Sequence, residues 1–247
     1  MTRRRKPFLG AITALFLASP LAAEPSDQAL IDGAIGPLGD AENLKLLDYT
    51  ARCVVEKYPL AADTFVRDTT DATAMVKDKA RLLDENCIKA YWFRSSTTSY
   101  EPGVYRVILA EALIGLAQQD KSLSLAVADA AATDQPQLPA VPVSEVHPYY
   151  RPMFVVDRHE AQLSQFAECA VRSRPEAVLA LVATKRGSAE EAAALADVES
   201  APAECAAKRP SVSFPAFARR GELALHLYLL SRLSGAPAPK PMPKRRR

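Results

Sequence analysis

The sequence predicts an all-α protein built from two tandem, duplicated multi-helix units, each closed by one internal disulfide. Two observations carry this. Four cysteines fall as two pairs in similar surroundings, Cys53 with Cys87 and Cys169 with Cys205, and the chain has only 9 Gly in 247 residues with apolar positions recurring at helical spacing. Counted from the first cysteine of each pair, Ala51, Val55, Pro59, Ala61 and Val66 match Ala167, Val171, Pro175, Ala177 and Val182. A closing apolar stretch also repeats, Leu109 to Ile114 against Leu223 to Tyr228, with Arg106 and Arg220 three residues upstream. Such a repeat is a tandem of two long units rather than an array of short ones.

The elements follow in order. Asp40 caps a helix running to Tyr58 through Leu44, Leu47, Ala51, Val54 and Val55, and Pro59 ends or turns it. A short helix carries Ala61, Phe65 and Val66. A third opens at Thr69-Thr70-Asp71 and includes Met75, Ala80, Leu82 and Leu83, with Cys87 just beyond. Tyr91-Trp92-Phe93 and the hydroxylated run to Tyr100 read as an extended packed segment. After Pro102-Gly103 a long helix reaches Gln119, apolar around most of its circumference and therefore central to a bundle. Five prolines between Asp134 and Pro152 mark a linker. The second unit opens with Asp157 and Glu160 as a capping box and runs to Ser173; Pro175 restarts a helix to Thr184. Ser188 with Glu191 is another box, for a helix to Val198. Pro210 and Pro215 bracket an extended piece, and a last helix spans Phe217 to Leu233 before Gly235.

The domain organisation expected is a leader at 1–23, a first helical unit at 24–133, the linker at 134–152, a second unit at 153–234 and a Pro-rich tail at 235–247. Arg3, Arg4, Arg5 and Lys6 precede an 11-residue apolar run from Phe8 to Ala18, with small residues and a cleavage point after Ala23. That run is short of the roughly 20 residues needed to span a bilayer, so it reads as a secretion signal and the mature protein as periplasmic or secreted. In an oxidising compartment four cysteines form a disulfide framework with three pairings open. The repeat favours Cys53 with Cys87 and Cys169 with Cys205, each bridge being worth roughly 3 to 4 kcal/mol by chain entropy.

Charge separates body from tail. The whole chain has 31 basic and 29 acidic residues, but from Glu24 to Ser234 the ratio is 22 to 29. An acidic body argues against a nucleic-acid partner, whose phosphates require a basic surface. The tail carries Lys240, Lys244, Arg245, Arg246 and Arg247 among alternating prolines, an extended arm suited to contacting anionic lipid or polysaccharide at about 1 kcal/mol per charge.

With its secretion signal, Cys53-Val54-Val55 with Pro59, Cys169-Ala170-Val171 with Pro175, the capped helix, the second cysteine and the closing Leu-Ala helix, the chain resembles uncharacterised secreted proteins of alphaproteobacteria. The resemblance covers roughly residues 45 to 230 and implies no activity, cofactor or catalytic residue. Ile114, where the second unit has Tyr228, departs from the pattern.

Motifs for chemistry are sparse. There is no His-Glu-x-x-His, no Cys-x-x-Cys, no Gly-x-Ser-x-Gly and no Gly-rich phosphate loop, and the reading assigns no cofactor and no metal. His159 reads as an exposed residue in a helix's first turn with Glu160 as the capping partner, in preference to a metal site with His147. His226 reads as a core or boundary residue. Arg106 and Arg220, at equivalent positions, suggest either a shared anion site or, preferred, a structural salt bridge in each unit. Tyr91, Trp92 and Phe93, with Tyr100 and Tyr105, and Tyr149 and Tyr150 across the linker, are candidates for a ligand groove, against a simpler role in core packing. The function expected is a non-enzymatic interaction or structural module of the bacterial envelope, partnered by an envelope protein, anionic lipid or polysaccharide. The alternative is an enzyme or small-ligand binder with its site between the two units.

Overall fold

The computed structural model describes residues 26–35, 41–67, 79–88, 102–119 and 151–233. These residues form eleven helices and no strand. They are α1 (Asp27–Ile35), α2 (Ala41–Lys57), α3 (Pro59–Arg67), α4 (Lys79–Leu82), α5 (Glu85–Ile88), α6 (Pro102–Gln119), α7 (Arg151–Ser173), α8 (Pro175–Ala183), α9 (Ala189–Glu199), α10 (Ala203–Ala206) and α11 (Ala216–Leu233). None is long and apolar enough to cross a membrane.

The units repeat element by element. Pro59 and Pro175 each open a nine-residue helix, because proline's fixed φ suits the first turn and its missing N–H is not needed there. The one-turn helices α5 and α10 each carry the second cysteine as their third residue. Both expected disulfides are formed, Cys53–Cys87 and Cys169–Cys205, across Cα separations of 5.5 and 5.4 Å. The closing helices α6 and α11 are 18 residues each, in the same register. Neighbours recur as well: α2 packs on α6 as α7 packs on α11, and α3 on α6 as α8 on α11.

The described residues of the two units share one core. One continuous core holds Val54, Val55, Phe65 and Leu113 of the first with Ala170, Val178, Leu195 and Leu227 of the second. Its centre is the contact of α6 with α11. At Gly221 a Cβ would lie 2.8 Å from Val107 Cγ2, so this helical glycine admits the neighbouring side chain at the crossing. Val107 and Gly221 occupy equivalent positions in the two repeats. A residue that meets its own equivalent lies on an approximate twofold axis, and the relation extends outward: α3 reaches α11, and α8 reaches α6.

Three expectations are corrected. α7 begins at Arg151, not at Asp157, so Pro152 belongs to its first turn and the second helical unit starts before residue 153. Asp157 and Glu160 are therefore interior to a helix and form no capping box. Proline at the second helical position costs nothing there, which is why the last linker proline did not mark the boundary. Cys87 does lie beyond the helix of Leu82, but in a further short helix of its own. Asp84 starts that helix, accepting from the Asn86 N–H at 2.7 Å.

α7 is longer than its counterpart α2, and α1 packs against it. Ile31 of α1 is wholly buried in a small second cluster with Leu163, Phe214 and Phe217, apart from the main core.

Candidate functional site

The closing helices place an arginine at the same point in each unit, and both arginines reach the same backbone group. Arg220 donates from Nη2 to the Val182 carbonyl at 2.9 Å, and Arg106 from Nε to the Val66 carbonyl at 2.8 Å. Val66 and Val182 are equivalent residues near the ends of α3 and α8. Each arginine thus ties the closing helix to the last turn of the short helix, where carbonyls lack intrahelical donors.

Beyond that bond the sites differ. Arg220 is 2% exposed and gathers two acids. Its Nε and Nη2 donate to Glu111 Oε1 at 2.9 and 2.6 Å, and Nη1 to Glu191 Oε1 at 2.9 Å; Thr184 accepts through its hydroxyl and carbonyl, each at 3.0 Å. Although burial opposes a charge, Glu111 and Glu191 raise the affinity of Arg220 for its proton. Glu111 also pairs with Arg186, which lies 3.1 Å from Asp48, so α2, α6, α9 and α11 meet around alternating charges. Burial raises the Asp48 carboxyl, opposed by Arg186. Glu191 is held by the Ser188 box: its N–H donates to Ser188 Oγ at 3.2 Å, and its second carboxylate oxygen accepts from Gly187 N–H. Gly187 has a positive φ of 71°, which favours glycine at this turn.

The region of α7 and α11 facing Arg106 is built otherwise. Ser164 stands where the first unit has Asp48. Its Oγ is 2.8 Å from His226 Nε2, and Glu222 Oε2 is 3.8 Å from the same nitrogen. Glu222 Oε2 is buried with no hydrogen-bond partner among the described residues. Burial pushes this carboxyl up to about 7, aided by Glu160 and opposed by Arg106, while burial pushes His226 down to about 4. Both groups are therefore neutral over a range where each alone in water would be charged. Both acid and hydroxyl approach Nε2, whereas a catalytic triad has its acid on the other ring nitrogen, so the cluster lacks triad geometry.

A third polar group joins the units. Tyr228 of α11 donates to Asp63 Oδ1 of α3 at 2.6 Å, and Arg232 and Arg67 approach the same carboxylate at 3.0 and 3.2 Å. Burial and the adjacent Asp63 carboxylate hold the Tyr228 phenol protonated well above its ordinary range. The equivalents of Asp63 and Tyr228 are Leu179, half-buried against the apolar core, and Ile114, within it. This explains the departure at position 114 seen in the sequence.

His159 is not exposed, contrary to expectation, but 2% accessible and deep in α7. Its Nε2 lies 3.0 Å from Asp27 and its Nδ1 2.9 Å from Gln162. No group of three or more His, Cys, Asp or Glu able to hold a metal occurs among the described residues. His226 is buried, as read. Tyr105 is core, its hydroxyl donating to the Leu82 carbonyl at 2.7 Å. The groove candidates Tyr91, Trp92, Phe93, Tyr149 and Tyr150, together with Tyr100 and His147, lie outside the described residues, as do the tail residues Lys240, Lys244, Arg245, Arg246 and Arg247. Glu111 and Glu222 were missed, and Glu191 was read only as a capping residue, because nothing in local sequence ties an acid to an arginine tens of residues away; the repeated arginine was the signal. Comparison with protein-family models, with curated proteins and with solved structures returned no match.

Proposed function

We propose that the protein is an exported, non-enzymatic interaction or structural module of the bacterial envelope, with its basic tail contacting an anionic surface. The observation that carries this reading is the use made of the duplicated side chains. The cysteines close bridges, the prolines start helices, and the arginines bind helix ends and acids, so what was repeated is a scaffold. Disulfides at both equivalent places, with no free cysteine among the described residues, fit an oxidising compartment.

The test has two arms. Fractionation of the native host should find the chain outside the cytoplasm and beginning at Glu24. The purified mature chain should cosediment with vesicles containing anionic lipid at low salt, and a chain lacking residues 237–247 should not. Cytoplasmic retention overturns export, and equal cosedimentation of both chains overturns the tail's role.

A second reading, a small-ligand site between the units, is favoured by the neutral Glu222–His226–Ser164 cluster where α7 meets α11 and the charge of Arg106 on α6 is felt. A ligand that raises the melting temperature of the native chain but not of a folded His226→Gln chain would support it. The same rise in both chains would reject it.

A further inference from the structure

We propose that the seat of α1 on α7 and α11 exchanges that helix between two copies of the chain, so that the protein self-associates by swapping its first helix. The proposal deepens the interaction role above and rests on that reading only for removal of the leader after Ala23.

The seat recognises particular residues of α1 rather than merely covering an apolar face. Asp27 lies 2.7 Å from Arg158 Nη2 and 3.0 Å from His159 Nε2, so a cation and a buried imidazole meet the acid at the helix start. The Gln28 side-chain amide pairs with both main-chain groups of Ser213, donating to its carbonyl at 3.0 Å and accepting from its N–H at 2.8 Å. One turn on, Ile31 is fully buried against Leu163, Phe214 and Phe217. Acid, glutamine and isoleucine at positions i, i+1 and i+4 are read together, the pattern of a helix bound in a groove.

These contacts reach into the second unit, more than a hundred residues along the chain. The cluster around Ile31 is separate from the main core, so α1 can leave without opening the contact of α6 with α11. An empty seat would expose Leu163, Phe214 and Phe217 to water, which their apolar surface disfavours. The seat is therefore refilled rather than left open. Another copy's α1 matches it in charge, in the glutamine and in the isoleucine. Once the leader is removed only Glu24, Pro25 and Ser26 precede α1, so nothing need be threaded for the helix to move. Exchange of an identical element is a low-cost route to a dimer.

The experiment uses the full mature chain carrying Gln28→Cys with Ser213→Cys, oxidised at rising protein concentration. Expected are two products, one linked within a copy and one linked between copies. The share linked between copies should grow about tenfold for a tenfold rise in concentration while it is the minor species. A synthetic peptide of residues 24–36 in excess should suppress it, and peptide mapping should show the engineered bond joining two chains. Sedimentation of the unsubstituted mature chain gives an independent reading, with a dimer that Ile31→Asp abolishes while the helical circular dichroism signal is kept. Linkage confined to single copies at every concentration, or a dimer that survives Ile31→Asp, overturns the exchange. A chain beginning at Glu24 that stays monomeric rejects the swap and leaves export standing; a chain found unprocessed rejects export instead.

Discussion

Arg106 and Arg220 hold the same carbonyl in two copies of one helical unit, yet the second copy has built a charge network around its arginine. Around Arg220 stand Glu111, borrowed from the first unit's closing helix, and Glu191 from α9, with Thr184 completing the donors' partners. On the other side of the approximate twofold axis the positions of Asp48 and Glu111 hold Ser164 and Leu225, and Leu225 is core. The backbone bond is the common element, and Glu111 and Glu191 are particular to Arg220. Because Glu111 belongs to the other unit, its pairing fastens the two copies to each other and breaks their symmetry.

The largest expected effect tests that asymmetry. Arg220→Ala takes its cation from largely buried Glu191 and leaves Glu111 with Arg186, and should cost about 3 to 5 kcal/mol, the usual penalty for orphaning a buried charge. Arg106 is only half-buried, so Arg106→Ala, read by the same urea titration, should cost clearly less. Equal losses would mean that the backbone bond, not the acids, carries the stability. Arg220→Met with Glu111→Leu and Glu191→Leu should recover much of the loss, since apolar replacement of a whole buried ionic group is often neutral or stabilising.

The neutral cluster near Arg106 should show itself in the pH dependence. Glu222 titrates near 7 when folded against 4.5 in its ordinary state, so its favourable contribution is complete below 4.5 and lost as pH rises through 7. His226 titrates near 4 against 6.5, so its contribution is complete above 6.5 and lost as pH falls through 4. Between about 4.5 and 6.5 folding takes up a proton on one and releases one from the other, and the pair leaves stability flat. Glu222→Gln should remove the loss above 6.5 and uncover the His226 slope, so that stability rises with pH between about 4.5 and 6.5. It should stabilise by about 3 kcal/mol at pH 8 and by almost nothing at pH 4.5. Urea midpoints measured across pH check this, and a gain independent of pH would refute it.

The crossing of α6 and α11 gives a smaller effect. Gly221→Ala would press a methyl into Val107 and should cost about 1 to 3 kcal/mol, partly offset by the better helix propensity of alanine. Adding Val107→Ala should restore room at that point. A double-mutant cycle showing no coupling between positions 107 and 221 would remove the basis for placing the axis there.

How much of this was readable in the chain depended on range. Helix starts at Pro59, Pro175 and Ser188, and both disulfides, rest on local chemistry or on the repeat, and they stand out in the sequence. The circumferential apolarity of residues 102–119 foretold a central helix but not its partner, because periodicity reports that a face is buried and not what buries it. Gly221 looked like one more helical residue until Val107 was found against it. The misplaced start of α7 has a related cause. Position 157 matches position 41, where α2 begins, but α7 extends past that point to receive α1. The repeated arginines were visible, whereas Glu111 and Glu191 come from other elements and only folding identifies them.

Ser188→Ala is the smallest change that still addresses the comparison. Loss of an N-cap costs about 1 kcal/mol in general, and here Ser188 Oγ would be lost as acceptor for the Glu191 N–H. Glu191 has two duties: one carboxylate oxygen holds the Gly187 N–H and the other takes Arg220. Freeing the first turn of α9 therefore loosens the acid that the arginine needs. The cap and the ion pair should be coupled, with Ser188→Ala costing less in an Arg220→Ala background than alone, by 0.5 kcal/mol or more. Strict additivity in that cycle would show that the cap serves α9 only. Coupling would show that the second unit's network begins at a helix start, a feature for which the described residues around Arg106 provide no counterpart.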